Sequence, residues 1–293
     1  MKIRRSTLLV PANVERMVAK SRDLAADVIM LDLEDAVPAT DADKDKARTA
    51  MSAAVTAGGF RAREVAVRIN GPRTKWFEAD IAAIGAVSVT TISLPRTYGA
   101  EDVARAETAI ADTFSMTPEI LLAVETPATL LELTEIARRA RLVTALYVAP
   151  IDFTLALGST ALLFGAGAIT DQGQLDHLRR HLLTVARAHR WNAVDAPIVP
   201  DPRDPAAVRQ AMAVSRAAGF DGASALYPDH VAVANEVFAP SPQELAWAAD
   251  IITRFERLRD GRMVDTSGGK LVMVQHYEFA KSLVALAERI GTS

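Results

Sequence analysis

Cysteine is absent from all 293 residues of the chain. Its absence excludes disulfide bonds, thiolate zinc sites and cysteine nucleophiles. Long apolar runs are missing as well, because the first one, Leu8–Val10, ends at Pro11 and none reaches the roughly 18 residues of a membrane span. The formal net charge of -3 gives no basic footprint for nucleic acid. We therefore expect a cytoplasmic protein that binds neither membranes nor nucleic acids.

Apolar segments typical of buried strands alternate with helical segments along residues 1–240. Eight such strand–helix units predict a (β/α)₈ barrel, or TIM barrel, over this range. An open doubly wound sheet is the alternative, but no Gly-x-Gly-x-x-Gly follows the first strand. The pattern changes after Pro240-Ser241-Pro242, so residues 241–293 are predicted to form a C-terminal helical extension.

Charged side chains follow several predicted strands at their carboxyl ends, where barrels of this class carry their active sites. Glu125 follows the fifth strand, and Asp152 ends the sixth, which we place at Leu142–Asp152. Because one strand–helix unit separates them, both carboxylates should project into the same end of the barrel. Two carboxylates and water suit Mg²⁺, and the pair would repel strongly without a cation. The alternative is two separately hydrogen-bonded acids.

Arg68 ends the third predicted strand. Its planar guanidinium can hold a substrate carboxylate or an oxyanion. It can also pair with Asp32 or Asp35 at the neighbouring strand end, and the two roles are compatible. Because cleavage of a β-hydroxy acid leaves a carbanion that must be stabilised as an enolate, a metal and an arginine together suit this chemistry. We therefore predict an enzyme that makes or breaks a carbon–carbon bond in a carboxylic acid.

Short motifs stand in a fixed order along almost the whole chain. They are Arg5-Ser6-Thr7-Leu8-Leu9-Val10-Pro11, Leu31-Asp32-Leu33-Glu34-Asp35-Ala36-Val37, Val67-Arg68-Ile69-Asn70-Gly71, Ala123-Val124-Glu125-Thr126, Asp204-Pro205, Ala218-Gly219-Phe220-Asp221-Gly222, Asn235-Glu236-Val237-Phe238 and Asp260-Gly261-Arg262-Met263-Val264-Asp265. In these motifs the chain resembles the citrate lyase β-subunit-like (CitE-like) branch of the HpcH/HpaI aldolase family. That branch includes malyl-CoA, citramalyl-CoA and citryl-thioester lyases.

The resemblance implies roles for individual residues. Glu125 and Asp152 match the family's Mg²⁺ ligands. Arg68 matches the catalytic arginine that binds the substrate, with Glu125 and Asp35 lining the same site. Asp265 matches a catalytic acid that exchanges a proton with the thioester methyl group or the substrate hydroxyl.

The resemblance also implies partners. Asp265 belongs to a C-terminal segment that closes over the active site of a neighbouring subunit, so we expect a homo-oligomer, either a trimer or a hexamer. Relatives that use a coenzyme A (CoA) thioester bind its phosphates with basic residues near the first strand and helix. Arg16 and Lys20 are the nearest candidates in this chain.

Three departures from the family pattern bear on the substrate. Relatives usually carry a glycine where this chain has Ala12, and Gly-Ala-Glu where it has Ala149-Pro150-Ile151. Pro150 has no backbone N–H, so any contact made by that amide in relatives is lost. On the eighth strand the family's lysine and histidine are missing from Gly222–Pro228. The metal site is retained, while the acyl group and its carrier are left open.

Three functions remain open from the sequence. The first is a Mg²⁺-dependent lyase that converts a 3-hydroxy-dicarboxylyl thioester, such as citryl-, malyl- or citramalyl-CoA, to acetyl-CoA or a similar thioester and a 2-oxo acid. The second is a metal-dependent aldolase acting on free acids such as pyruvate or oxaloacetate. The third is a non-catalytic subunit of a larger lyase complex, against which the retained Glu125, Asp152 and Arg68 argue.

Overall fold

The barrel is built from parallel strands paired in chain order. The structure, a computed structural model, describes residues 1–159, 173–199, 201–257, 264–265 and 272–291. Eight strands in this part form a closed barrel, which confirms the predicted (β/α)₈ fold. They are β1 (Ser6–Pro11), β2 (Val28–Asp32), β3 (Glu64–Arg68), β4 (Thr91–Leu94), β5 (Glu119–Val124), β6 (Val143–Val148), β7 (Asn192–Asp195) and β8 (Gly222–Ala225).

Helices follow the strands along the chain. They are α1 (Glu15–Ser21), α2 (Asp41–Ala57), α3 (Phe77–Gly85), α4 (Ala100–Thr113), α5 (Pro127–Leu131), α6 (Leu133–Arg139), α7 (Pro150–Ala156), α8 (Gly173–His189), α9 (Pro205–Ala218) and α10 (Pro228–Val237). Local signals fix their ends. Thr40 caps α2 by accepting a hydrogen bond from the Asp43 N–H, and α9 begins with Asp204 as N-cap followed by Pro205. Gly219 ends α9 in the left-handed conformation, at φ 110°.

The strands are apolar because the sheet is buried on both faces. All five residues of β2 are buried, and buried side chains from four strands pack together in one interior cluster. This interior cluster consists of Val28, Met30, Ala66, Leu121 and Ala145, with Leu9 and Tyr147 packed against it. The barrel is therefore a packed core with its chemistry confined to its ends.

A buried ionic network closes the barrel at the amino ends of the strands. Arg4 donates from Nε and Nη2 to the two carboxylate oxygens of Glu64, each at 2.9 Å. Lys2 and Glu119 extend the network, at 3.0 Å from Glu64 and 3.1 Å from Arg4 respectively. Burial acts to raise the pKa of Glu64, but the hydrogen bonds and charge of Arg4 outweigh it and lower the pKa to about 2. The charge of Glu64 at this end of the barrel is thus balanced by Arg4 and Lys2.

The chain divides into two compact units, Met1–Asn235 and Glu236–Ser293. The division falls a few residues before the boundary expected at residue 240. The second unit holds α11 (Pro242–Glu256) and α12 (Val274–Gly291), with the short antiparallel strands β9 (Val264–Asp265) and β10 (Val272–Met273). Its core is formed by Ala248, Ile251, Val272, Ala280 and Leu283.

Two further observations concern the second unit and the helices as a whole. Ser241 and Glu244 form a reciprocal capping box that starts α11 directly after the proline-rich junction. Among the described residues, every helix is too short or too polar to cross a bilayer.

Candidate active site at the carboxyl ends of the strands

Arg68 is held by acids from the neighbouring strand. Asp32 in β2 and Arg68 in β3 are register partners, so their side chains emerge side by side. Arg68 donates from Nε and Nη2 to the two Asp32 oxygens at 2.8 and 2.6 Å, and its Nη1 lies 3.0 Å from Glu34. Burial acts to lower the pKa of Arg68, but Asp32 and Glu34 outweigh it and raise the pKa. The structural pairing considered from the sequence is thus present, and it holds the guanidinium in one position.

Arg96, which follows β4, is the centre of the site and was not singled out from the sequence. Its Nε donates to Glu34 at 2.6 Å and its Nη2 donates to Asp35 at 2.8 Å. The same Nη2 lies 3.7 Å from an Asp152 oxygen. Its backbone N–H donates to the Glu125 carboxylate. One residue therefore contacts four carboxylates that come from three different connections of the barrel.

Glu125 occupies the most unfavourable electrostatic position of the site. It is only 5% exposed and follows β5 directly. Burial raises its pKa to about 7, and the negative charges of Glu34 and Asp152 add to the rise against the opposing Arg96 hydrogen bond. Both carboxylates contact Arg96, Glu125 through the backbone N–H and Asp152 through the guanidinium, so the two acids belong to one cluster.

Asp152 reaches the site by a different route from the one expected. The sixth strand was placed at Leu142–Asp152, but β6 ends at Val148 and Asp152 lies in the first turn of α7. Pro150 is the reason, because it has no N–H for a sheet ladder and its fixed φ suits the first turn of a helix. The Asp152 side chain is 39% exposed, so it borders solvent while Glu125 is buried.

Lys44 and Asn70 anchor the loop that carries Glu34 and Asp35. The Nζ of Lys44 donates to the carbonyl oxygens of Leu33 and Glu34 at 2.7 and 2.8 Å. Asn70 Nδ2 also donates to the Leu33 carbonyl, at 3.0 Å. Burial lowers the pKa of Lys44, against the raising effect of the nearby acids. Both side chains are buried, and their hydrogen bonds hold the acidic loop in place.

Tyr147 is a second residue that sequence reasoning treated only as part of a strand. It lies in β6 on the barrel interior, close to the side chains of Ser224 and Arg68. Burial raises the pKa of its hydroxyl, so it is a neutral hydrogen-bonding group at neutral pH. An alternating apolar strand gives no signal that distinguishes such a tyrosine from ordinary core packing.

Acids outnumber cations in this cluster. They are Asp32, Glu34, Asp35, Glu125 and Asp152, against Arg68, Arg96 and Lys44. Among the residues that the structure describes, no group of three or more acids or histidines converges to hold a metal ion by itself. Mg²⁺ suits such a site, because it usually keeps several waters and takes one or two protein carboxylates. The donors Glu125 and Asp152 therefore fit a hydrated divalent cation.

The remaining predicted residues are not brought into this cluster. Arg16 and Lys20 lie exposed on α1, and neither side chain forms a hydrogen bond or ion pair with another described residue. Asp265 lies in β9, opposite Val272, and its side chain falls outside the described part of the structure, as do residues 260–263 of its motif. The roles assigned to these three residues stay predictions.

Comparison with known proteins identifies the family. Residues 5–228 match the model described as HpcH/HpaI aldolase/citrate lyase. The chain is 33% identical over 290 residues to a (3S)-malyl-CoA thioesterase of Cereibacter sphaeroides (strain KD131 / KCTC 12085), covering 98% of this chain and 95% of that protein. It is 27% identical over 278 residues to citrate lyase subunit beta of Leuconostoc mesenteroides subsp. cremoris, covering 92% and 89% respectively.

A solved structure agrees with these sequence matches. The protein CitE of Mycobacterium tuberculosis, crystallised with magnesium, acetoacetate and coenzyme A, superposes with a TM-score of 0.78. It is 26% identical to this chain, and the match covers 97% of both. The resemblance carried by the motifs is confirmed: the chain belongs to the HpcH/HpaI aldolase/citrate lyase family.

Proposed function

We propose that this chain is a Mg²⁺-dependent carbon–carbon lyase that cleaves or forms a 3-hydroxy-dicarboxylyl CoA thioester, such as malyl-, citramalyl- or citryl-CoA. The observation that carries the proposal is the pairing of buried Glu125 with Asp152 around Arg96, beside the charged Arg68. The relatives support the substrate class, since the named ones include a malyl-CoA thioesterase and a citrate lyase subunit, and CitE was crystallised with magnesium and coenzyme A.

In this proposal Glu125 and Asp152 hold the cation, which would polarise the oxygens of the 2-oxo acid portion. Arg68 directs its remaining N–H groups at the substrate carboxylate, held in place by Asp32. In the cleavage direction a base takes the proton of the C3 hydroxyl, and the C2–C3 bond breaks. The hydroxyl oxygen becomes the carbonyl of the 2-oxo acid, while the electron pair stays on C2 as the thioester enolate.

Protonation at C2 completes the acetyl thioester, and we assign this proton exchange to Asp265 on the basis of its motif. Glu34 and Asp35 keep Arg96 in place, and Asp35 stays a predicted residue of the substrate site. Free-acid aldol chemistry remains the alternative, and it needs the same cation and arginine without the CoA portion.

Thioester hydrolysis is a second candidate because the relative that is 33% identical is named a malyl-CoA thioesterase. The two reactions share a substrate and differ in the bond that breaks. Lyase activity releases a 2-oxo acid and leaves the thioester intact, whereas hydrolysis releases the CoA thiol and no oxo acid. Measuring both products from one reaction separates the two functions.

The test is a screen of malyl-, citramalyl- and citryl-CoA with Mg²⁺ and with EDTA, assaying oxo acid as its phenylhydrazone and CoA with a thiol reagent. We expect oxo acid in proportion to substrate consumed, and no turnover in EDTA. Glu125→Gln and Asp152→Asn should abolish turnover, while Asp176→Asn, in the exposed first turn of α8, should not. Turnover that is unchanged in EDTA or in Glu125→Gln would refute the metal site. Release of the CoA thiol without oxo acid would show that the protein is a hydrolase and not a lyase.

The CoA-binding and subunit arrangements are further parts of the proposal. Arg16 and Lys20 are proposed to bind CoA phosphates, so Arg16→Ala and Lys20→Ala should raise KM for the thioester. Lys46→Ala, an exposed lysine on α2, is the matched control. An unchanged KM in both variants would remove these residues from the CoA site.

We also propose a homo-oligomer, a trimer or hexamer, in which residues 241–293 close over a neighbouring subunit. Under this arrangement each active site draws Glu125 from one chain and Asp265 from another. Glu125→Gln and Asp265→Asn should each be inactive alone and regain activity when co-expressed, because mixed oligomers contain complete sites. Light scattering gives the subunit number, and mixed oligomers that stay inactive would contradict the shared site.

A further inference from the structure

Arg96 has an unusual backbone conformation. Its φ is 51°, and Arg190 at 57° is the other non-glycine residue with positive φ in the described part of the chain. The left-handed region costs a residue with a β-carbon about 1–2 kcal/mol relative to the right-handed one. Such a conformation persists only where the surrounding structure stabilises it, and such residues cluster at functional sites.

Gly71, in the loop after β3, makes room for this conformation. A β-carbon at Gly71 would lie 2.6 Å from the Arg96 β-carbon and 3.2 Å from the Pro95 carbonyl oxygen. Because the second of these atoms is backbone, a side chain at position 71 would force the Arg96 segment to shift. Gly71 is therefore required for the close approach of the two loops, and not for a positive φ of its own.

The left-handed turn directs two groups of Arg96 at once. Its N–H points to the Glu125 carboxylate, and its guanidinium reaches Glu34 at 2.6 Å and Asp35 at 2.8 Å. These ion pairs are side-chain interactions, so they offset the unfavourable backbone and keep the N–H directed at Glu125. Glycine at the same position would keep the turn without needing such compensation.

We propose that Gly71 and Arg96 are positioning residues that set the orientation of the Glu125 carboxylate for divalent cation binding. The left-handed backbone of Arg96 presents the N–H that Glu125 accepts, Gly71 leaves space for it, and the ion pairs to Glu34 and Asp35 stabilise it. The inference rests on the proposed cation site. It adds Gly71 and Arg96 to the residues that determine the affinity of that site for a cation. Their effect comes from backbone conformation and not from charge alone.

The decisive comparison is between Arg96→Ala and Arg96→Gly, which both lose the guanidinium and differ by one methyl group. Without the ion pairs, alanine relaxes from the left-handed region and glycine does not. Mn²⁺ affinity, measured on the full chain by electron paramagnetic resonance without substrate, should be about five- to thirtyfold weaker in Arg96→Ala than in Arg96→Gly, the factor for about 1–2 kcal/mol. A purely electrostatic role for Arg96 makes the two variants equal, and that result would overturn the inference.

Arg190→Gly is the matched control, since it relieves the other left-handed residue, which lies two residues before β7 at the opposite end of the strands. It should leave Mn²⁺ affinity unchanged. Gly71→Ala should weaken Mn²⁺ binding, and adding Arg96→Gly should restore part of it, because the clashing Arg96 β-carbon is gone. No restoration in the double variant would contradict the assigned contact, and absence of Mn²⁺ binding in the wild type would refute the proposed metal site itself.

Discussion

Replacing Glu125 with glutamine should stabilise the cation-free protein while it removes cation binding. Burial and two neighbouring acids raise the pKa of Glu125 from 4.5 to about 7. At about 1.4 kcal/mol for each pKa unit, the charged carboxylate lowers the free energy of unfolding by about 3 kcal/mol. Glutamine is uncharged, and its amide oxygen can still accept the Arg96 N–H.

The stability gained by Glu125→Gln should increase with pH. A carboxyl group whose pKa is raised by folding destabilises the native state only where it is ionised. Below its unfolded-state pKa of 4.5 the penalty is absent, and it grows to its full value as pH rises past about 7. We therefore expect Glu125→Gln to match the wild type at pH 4.5 and to exceed its stability by about 3 kcal/mol at pH 8, in EDTA.

Glu64→Gln is a control of opposite sign on the same type of residue. Arg4 lowers the pKa of Glu64 from 4.5 to about 2, so its charge stabilises the fold. This contribution is fully present above pH 4.5 and is lost as pH falls toward 2, so Glu64→Gln should lose about 3 kcal/mol at pH 8. Urea unfolding of the three proteins at both pH values measures these differences.

Adding Mg²⁺ completes the assay. A ligand that binds only the native state raises its stability, so Mg²⁺ should raise the Tm of the wild type and leave that of Glu125→Gln unchanged. The reasoning would be refuted if Glu125→Gln were less stable than the wild type at pH 8 in EDTA. A gain that is the same at pH 4.5 and pH 8 would also refute it, since it would not come from the charge.

Two further substitutions test the framework around the site. Gly222→Ala should destabilise the barrel by about 3 kcal/mol or more, because a β-carbon there would lie 1.8 Å from the backbone carbonyl oxygen of Arg4. Urea unfolding measures the loss, and a variant as stable as the wild type would contradict the prediction. Lys44→Met should lower the free energy of unfolding by about 2 kcal/mol, because the carbonyls of Leu33 and Glu34 lose a buried donor. It should also raise KM for the substrate, and an unchanged KM would show that the acidic loop holds its position without the lysine.

The barrel could be predicted because its strands are buried on both faces. A strand such as β2 has to be apolar along its length, and that produces the short runs that repeat along the sequence. The end of β6 was misplaced because the apolar run continues through Ala149 and Pro150 into Ile151. Hydrophobicity continues there after the sheet has ended, and only the missing N–H of Pro150 marks the change to α7.

The acidic part of the site could be read from the sequence, but its organisation could not. Glu125 and Asp152 stand alone after apolar runs, which makes them visible as candidates. Arg96 follows a strand end in the same way as many surface arginines, and its role depends on a left-handed φ that needs Gly71 from another loop. A contact between two loops, each unremarkable by itself, leaves no periodic signal in either segment.

Glu64 and Glu125 show how the two ends of this barrel differ in electrostatics. Both are buried glutamates that border apolar strands, and burial alone would raise the pKa of either. At the amino end Arg4 forms two hydrogen bonds with Glu64 and Lys2 forms an ion pair with it, so the charge is neutralised within the fold. At the carboxyl end Arg96 offers Glu125 only a backbone N–H and directs its guanidinium to other acids. The fold thus compensates the charge of Glu125 only in part, and that is the condition under which a dication gains more from binding than it loses in hydration.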